Sequence, residues 1–184
     1  MKKKLVPIAA AALLATNVAE AQTNIYLELD GIEGESVSAN YADQIDVISW
    51  GWGLSNNVSV EEFASGAGTQ EKTTFQSLKI DKILDSSSPP IYEHIAARRL
   101  IKGGTLTTTI QAGGAGEVEY SVLDMDNVFI VAAQPSGSDG IDGPTESISL
   151  LFSRFCITQN TIDAKGSVVN GTPFCWDIAE NKAF

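Results

Sequence analysis

The chain has 184 residues, of which 43% are hydrophobic and 19% charged, and its formal net charge is −11. That length is enough for one domain with a full hydrophobic core. The excess of carboxylates argues against binding to nucleic acid or to anionic membrane surfaces, because both would repel it. Beyond the N-terminal segment no apolar run is long enough to cross a bilayer as a helix, so we expect no membrane insertion of the mature chain.

The first 21 residues have the pattern of a secretory signal peptide. Three lysines at positions 2–4 precede an apolar run from Leu5 to Ala15, and Ala19-Glu20-Ala21 provides a small-x-small cleavage site. We predict cleavage between Ala21 and Gln22, transit through the periplasm and a secreted location, which leaves residues 22–184 as one domain. An amphipathic N-terminal helix or an uncleaved anchor is the alternative.

Two strand candidates come next. Ile25 to Leu29 alternates apolar and polar residues, and a second strand ends in Trp50-Gly51-Trp52-Gly53. A regular strand would place Ile48, Trp50 and Trp52 on one face and Val47, Ser49 and Gly51 on the other. We therefore predict an aromatic face packed against the core and an open face at Ser49 and Gly51, with ligand stacking on the tryptophans as the alternative.

One helix is predicted among the strands. Ser88 is the candidate N-cap, Pro89 and Pro90 suit the first turn, and Ile91 and Ile95 share a face. Arg98 and Arg99 lie near the negative end of the helix dipole, and Gly103 is the candidate stop. Two stretches rich in turn-forming residues, 57–72 and 134–144, predict mobile surface loops.

The remaining pattern is of strands. Thr105 to Ile110 is one candidate, Val118 to Ala133 is long enough for two, and Ser147 to Ile157 forms one long run rich in β-branched and aromatic residues. Such spacings favour a sandwich or closed barrel over a parallel sheet. The predicted fold class is therefore mainly β, with one α-helix.

Two cysteines, Cys156 and Cys175, lie in strand candidates on either side of a polar segment. A hairpin would bring them together, and an exported chain would meet oxidising conditions, so we predict a disulfide. A pair of buried free thiols is the alternative, because the sequence does not fix the distance between them.

Catalytic chemistry has little support in the sequence. The single histidine, His94, lies within the predicted helix, which favours a structural role, and one histidine with two cysteines is too few for a zinc site. The run from Gly113 to Gly116 lacks the ending of a phosphate-binding loop and indicates a turn. Asp139 to Gly143 lacks the EF-hand spacing. We therefore predict no catalytic residue, metal or cofactor, and keep a secreted hydrolase only as a remote hypothesis.

Six stretches carry a recognisable combination of motifs, in chain order LDGIEGES, ADQIDVISWGWGLS, TFQSLKIDKILDSSSPPIY, AGGAGEVEYSVLDMDNVFI, PTESISLLFSRF and CWDIAENKAF. Together they resemble the Hcp family, the tube-forming protein of bacterial type VI secretion systems. The resemblance extends over roughly 24–184. It implies a β-barrel of two sheets with one helix packed on the side, and no enzymatic activity.

The resemblance also implies partners and residue roles. Hcp-like proteins form homohexameric rings that stack into the inner tube of the secretion apparatus, carry effectors and meet tip or sheath proteins. On this chain it implies that Ser49 and Gly51 face the lumen, and that Trp50, Trp52 and Trp176 pack in the core or between subunits. A loop contacting the next ring would include Ser65, Gly66, Ala67 and Gly68. Many relatives have a small polar residue where this chain has Gly51.

The predicted leader does not fit a tube that is assembled from the cytoplasm. A second hypothesis is therefore a secreted β-sandwich binding or adhesion module, in which Trp50, Trp52 and Trp176 would provide stacking surfaces for sugars.

Overall fold

The structure is a computed structural model and describes residues 22–56, 58–66, 73–111, 116–137, 143–163 and 167–184. Its two helices among these residues are α1 (Val60–Ser65) and α2 (Ser88–Ala97). The strands are β1 (Thr23–Leu29), β2 (Ile45–Asp46), β3 (Ser49–Gly51), β4 (Leu54–Ser55), β5 (Thr74–Phe75), β6 (Leu78–Ile83), β7 (Ile101–Gln111), β8 (Glu117–Ser136), β9 (Thr145–Leu151), β10 (Arg154–Gln159), β11 (Thr161–Ile162), β12 (Val168–Val169), β13 (Phe174–Asp177) and β14 (Lys182–Ala183).

The strands form two antiparallel layers that share one strand. One layer has the order β14-β13-β10-β8-β7-β1-β2, and the other runs β3-β6-β9-β8. Strand β2 pairs with β1 at the edge of the first layer, and β3 pairs with β6 at the edge of the second. Because β2 and β3 follow each other in the chain, they connect the two layers at the edges farthest from the shared strand β8. This mainly-β architecture with α2 at its side confirms the predicted fold class.

The shared strand β8 differs from the sequence prediction of two strands, because it is one continuous strand with two sets of partners. Along one edge it pairs with β7, and along the other it pairs first with β10 and then with β9. At the point of exchange Asn127 has φ 53°, a conformation that asparagine tolerates, and its Nδ2 donates to Ser153 Oγ at 2.8 Å. The predicted single run from Ser147 to Ile157 is correspondingly two strands, β9 and β10, which are separated at Phe152 and Ser153.

The tryptophan strand corrects the predicted faces. Val47 N donates to Ile25 O at 2.9 Å, whereas Ile48 N donates to Asp81 O at 2.7 Å, so the chain changes sheets between these two residues. The alternation of inward and outward side chains therefore does not continue from one residue to the next. Val47 is only 8% exposed and Ile48 is 55% exposed, so the prediction was wrong for this pair, while Ser49 and Gly51 are exposed as predicted.

Helix α2 packs Ile91 fully into the core and Ile95 against it, as its spacing predicted. The predicted ends were wrong. Ser87 occupies the N-cap position, and the hydroxyl of Ser88 bonds Glu146 instead. The helix ends at Ala97 because Arg98 adopts a left-handed conformation with φ 51°, and Gly103 lies within β7.

The two predicted mobile loops contain regular structure. The first is flanked by β4 and β5, which pair as the base of a hairpin, and within it Val60–Ser65 forms the short helix α1. In the second, residues 134–136 extend β8 and pair with β9. The acidic run 139–142 and the glycine run 113–115 lie outside the described residues.

The core lies between the two layers and under α2. It is built from the inward-facing positions of the alternating strands, which explains why one face of each strand is apolar. Its buried members are Leu27, Leu29, Ile32, Ile45, Val47, Leu78, Ile80, Ile91, Ile101, Leu106, Leu123, Met125, Val128, Ile130, Ile148, Leu150, Phe152 and Phe155.

Candidate functional site

The middle of the exposed face of β3, β6 and β9 carries serine, aspartate and lysine side chains and contains both residues predicted to line a lumen. The strand registers give two rows across it, Ser49-Asp81-Ser147 and Gly51-Lys79-Ser149. We call these six residues the serine face. Because the inward side chains of the same strands are buried, the face is held on a rigid sheet.

Asp81 organises the first row of the serine face. Ser49 Oγ donates to Asp81 Oδ2 at 2.7 Å, and Ser147 Oγ donates to Asp81 Oδ1. The hydrogen bonds from Ser147 and Ser49 lower the pKa of Asp81 below its ordinary value, and partial burial opposes them. The carboxylate therefore stays ionised and ties three strands together, which fixes the position of Ser49.

Gly51 is the one position of the serine face without a side chain. A Cβ built at this position would meet no heavy atom within 4 Å, so nothing within the subunit requires a glycine here for steric reasons. A larger side chain at position 51 would project from the serine face without disturbing the barrel.

The tryptophans predicted for packing are all partly buried against the core. Trp50 Nε1 donates to Thr108 Oγ1 at 3.2 Å, and Trp52 Nε1 donates to Gln76 O at 3.0 Å. The Trp52 ring lies 5.5 Å from the Phe152 ring and 4.8 Å from the Phe155 ring between centroids. Trp176 stacks on Phe174 at 6.0 Å, and its Nε1 is buried without a hydrogen-bond partner among the described residues.

Cys156 and Cys175 are joined by a disulfide in the structure. They occupy directly opposed positions of β10 and β13, so the bond fastens the C-terminal strands to the edge of the large sheet. Arg154 Nε donates to Asp177 Oδ2 at 2.7 Å in the same pair of strands and adds a second link.

The segment predicted to contact a neighbouring ring begins with α1. Ser65 is the last residue of that helix and Gly66 follows with φ 68°, while Ala67 and Gly68 lie outside the described residues. The side chains of Val60 and Phe63 are 83% and 81% exposed. Two apolar side chains on this short helix are thus presented to solvent.

A buried ionic network joins α2 to the sheet of β6 and β9, and our sequence predictions missed it. The side chains of Lys82 and Glu146 are both 0% exposed, with Nζ and Oε1 3.0 Å apart. Lys82 Nζ also contacts Asp85 Oδ1 at 2.7 Å, while Ser88 and Tyr92 donate to Glu146 from the helix at 2.5 and 2.7 Å. The signal was present in the sequence, since Lys82 and Glu146 occupy inward positions of alternating strands.

The pKa values of this network follow from its geometry. Burial would raise the pKa of Glu146, but the hydrogen bonds from Ser88, Tyr92 and Lys82 together lower it below the ordinary value. Desolvation and the neighbouring Glu146 raise the pKa of Tyr92 to about 12. The pair is therefore a buried ammonium and carboxylate with hydrogen bonds satisfying both groups.

His94 is partly buried in α2, and its Nδ1 lies 3.0 Å from Pro90 O. No group of three or more histidine, cysteine or acidic side chains is arranged to hold a metal ion in the described part of the chain. Within the same residues, no helix is long and apolar enough to span a membrane.

The fold and the serine face define a class: a small antiparallel β-barrel with a lateral helix and an exposed sheet face of small polar side chains. The sequence profile of the family described as "Type VI secretion system effector, Hcp" matches residues 26–158. The chain belongs to this Hcp family of type VI secretion proteins.

Individual relatives agree with that assignment. The chain is 28% identical over 159 residues to "Protein hcp1" of Pseudomonas aeruginosa, a match that covers 86% of this chain and 96% of the relative. A solved "Structure of a type six secretion system protein" superposes with a TM-score of 0.79 at 23% identity, over 89% of this chain and 100% of that one. Hcp1 from Salmonella typhimurium gives a TM-score of 0.70 at 25% identity, over 88% and 99%.

Proposed function

We propose that this chain assembles into hexameric rings that stack as the inner tube of a type VI secretion system, with the serine face lining the lumen. The observation that carries the proposal is an exposed, rigid sheet face of three serines, a glycine, an aspartate and a lysine on a barrel of the Hcp family. A channel for passengers needs a wall that is mostly polar and does not narrow the bore. Hydroxyl groups at 49, 147 and 149 and the bare backbone at Gly51 meet that need.

Ring closure requires two different faces of each subunit to match, since contacts around a ring are heterologous. We propose that Trp50, Trp52 and Trp176 stiffen the barrel rather than providing stacking surfaces for sugars. Their rings are engaged with core residues, and Trp50 and Trp52 use their indole N–H groups within the subunit.

Stacking between rings is assigned in this proposal to α1 and the residues that follow it, including Ser65, Gly66, Ala67 and Gly68. The support is the exposure of Val60 and Phe63, which a lone subunit leaves in water. Burial in the next ring would remove that cost. The tube would be exported with its effectors, and tip and sheath proteins would be its further partners.

We also propose that residues 1–21 are a secretory leader cleaved between Ala21 and Gln22. The disulfide between Cys156 and Cys175 supports passage through an oxidising compartment. The mass of the N-terminal peptide of the protein purified from its native cells tests this. A start at Gln22 establishes export through the periplasm, and a start at Met1 overturns the leader and leaves assembly in the cytoplasm.

The lumen assignment is tested by Gly51→Arg. Since a side chain at position 51 meets nothing within the subunit, the variant should form rings normally, while six arginines obstruct the bore. Electron micrographs should show rings for both proteins, and effector co-purification should be lost only in the variant. Val37→Arg is the matched control, because Val37 is 98% exposed in a loop beside Tyr26 and Glu117, which are not part of the serine face. Unimpaired co-purification in Gly51→Arg rings contradicts the lumen placement.

A further inference from the structure

The serine face contains one lysine, Lys79, which has no carboxylate within 4 Å among the described residues. Lys82, Arg99, Arg154 and Lys182 each lie within 4 Å of a carboxylate among the described residues, and no such pair includes Lys79. Asp81 shares the face, but both of its oxygens accept hydrogen bonds from serines. The exposed ammonium of Lys79 is therefore free to meet a ligand.

Lys79 is one of five residues that line an open cleft of about 630 Å³, the others being Gly51, Trp52, Gln76 and Ser77. Gly51 is paired with Lys79 across the strands and has no side chain to fill the space beside it. The cleft thus combines an unpaired cation with a hydroxyl, an amide and an aromatic ring.

The aromatic wall of the cleft is held in place before any ligand arrives. Trp52 packs against Phe152 and Phe155, and its Nε1 is bonded to Gln76 O. A fixed ring costs little entropy when it meets a ligand, which favours binding of an apolar group next to the ammonium. Screening at physiological ionic strength limits the repulsion from the more distant carboxylates of the chain to about 8 Å. Asp81, two residues along β6 on the same face, is nearer than that, and both of its oxygens accept hydrogen bonds from Ser49 and Ser147.

We propose that this cleft binds a carboxylate flanked by an apolar side chain, presented by a passenger polypeptide as either its C-terminus or an acidic residue. The identity of the natural ligand as a passenger rests on the proposed tube function, whereas carboxylate binding does not. Gly51 has no side chain that could donate a hydrogen bond to a passenger. The cleft beside it would give this chain a different contact for passengers.

Three small probes test the chemistry. N-acetyl-phenylalanine carries a terminal carboxylate, its amide carries none, and N-acetyl-glutamyl-phenylalanine amide carries a side-chain carboxylate. Each is titrated into the purified full-length protein while the indole N–H resonance of Trp52, assigned by its loss in Trp52→Phe, is followed. We expect the terminal or the side-chain carboxylate, or both, to shift that resonance with a dissociation constant about tenfold below that of the amide. Which of the two binds identifies the source.

Variants of the lysine separate a site from a general surface effect. Lys79→Met should weaken carboxylate binding about tenfold, Lys79→Arg should restore most of it, and Lys102→Met, at an exposed lysine of β7, should have no effect. Equal affinity for the amide, or unchanged affinity in Lys79→Met, overturns the proposal. Native mass spectrometry of the same samples separates failure of the carboxylate site from failure of the tube function. If the protein is hexameric and does not bind the carboxylate probes, the cleft proposal is wrong and the tube proposal stands. If the protein is a stable monomer that binds them, the tube proposal is wrong and the cleft proposal stands.

Discussion

At the scale of single residues, the Lys82–Glu146 pair explains how α2 is held against the barrel. Both side chains are fully buried, and the helix supplies two hydroxyl donors to the carboxylate. Removing one partner of a buried pair costs far more than the net contribution of the pair, because the other charge is left without compensation.

We expect Lys82→Met to lower the free energy of unfolding by about 3–5 kcal/mol, measured by urea denaturation. Lys82→Met combined with Glu146→Met should recover part of that loss, since no buried charge remains at the pair. The control is Arg99→Met, which breaks the exposed Arg99–Glu93 pair and should cost no more than about 1 kcal/mol. A loss in Lys82→Met as small as that of the control would show that the network is dispensable.

A second residue-scale prediction concerns Glu117 on β8. Burial would raise its pKa, but hydrogen bonds from Asn24, Thr109, Tyr26 and Ser38 lower it below the ordinary 4.5. Because the folded pKa is depressed, the stabilisation is complete above the unfolded value and is lost as the pH falls through the folded value. The unfolding free energy of wild type should therefore fall more steeply below about pH 4.5 than that of Glu117→Gln, and identical slopes would refute this.

At the scale of elements, some features could be read from the sequence. The alternating pattern of Ile25 to Leu29 identified β1, and the spacing of Ile91 and Ile95 identified the buried face of α2. These predictions hold because each depends only on the period of one element. The same reasoning placed Ser49 and Gly51 on an exposed face.

Other features depend on how elements meet, which a local pattern does not record. The faces of Val47 and Ile48 were misassigned because the chain changes sheets between them. The continuity of β8 was missed because its second edge exchanges one partner strand for another at Asn127. The N-cap was misassigned because the hydroxyl of Ser88 bonds a carboxylate on β9, more than fifty residues away.

Helix α1 gives the prediction for stacking. Phe63→Ser removes the largest apolar side chain that α1 exposes, so it should shorten or abolish tubes while leaving single rings intact. The measurement is the length distribution of tubes in electron micrographs, with native mass to confirm the rings. Leu100→Ser, at an exposed leucine beyond α2, is the matched control. Tubes of normal length in Phe63→Ser would exclude α1 from the contact between rings.

At the scale of the whole molecule, the family and the barrel support assembly into a tube, while the proposed leader and the disulfide point to an oxidising compartment. These two groups of features lead to different places of assembly for the same fold. A secreted binding module would need only the barrel, whereas a tube needs two matching faces on every subunit. Oligomeric state therefore separates the two hypotheses more sharply than any single substitution.

The most direct test is native mass spectrometry of the purified full-length protein over a range of micromolar concentrations, with its disulfide intact. The proposed function predicts one dominant species with six times the mass of the subunit, which electron micrographs should show as rings with a central hole. A stable monomer at every concentration would contradict the tube function and favour a secreted binding module.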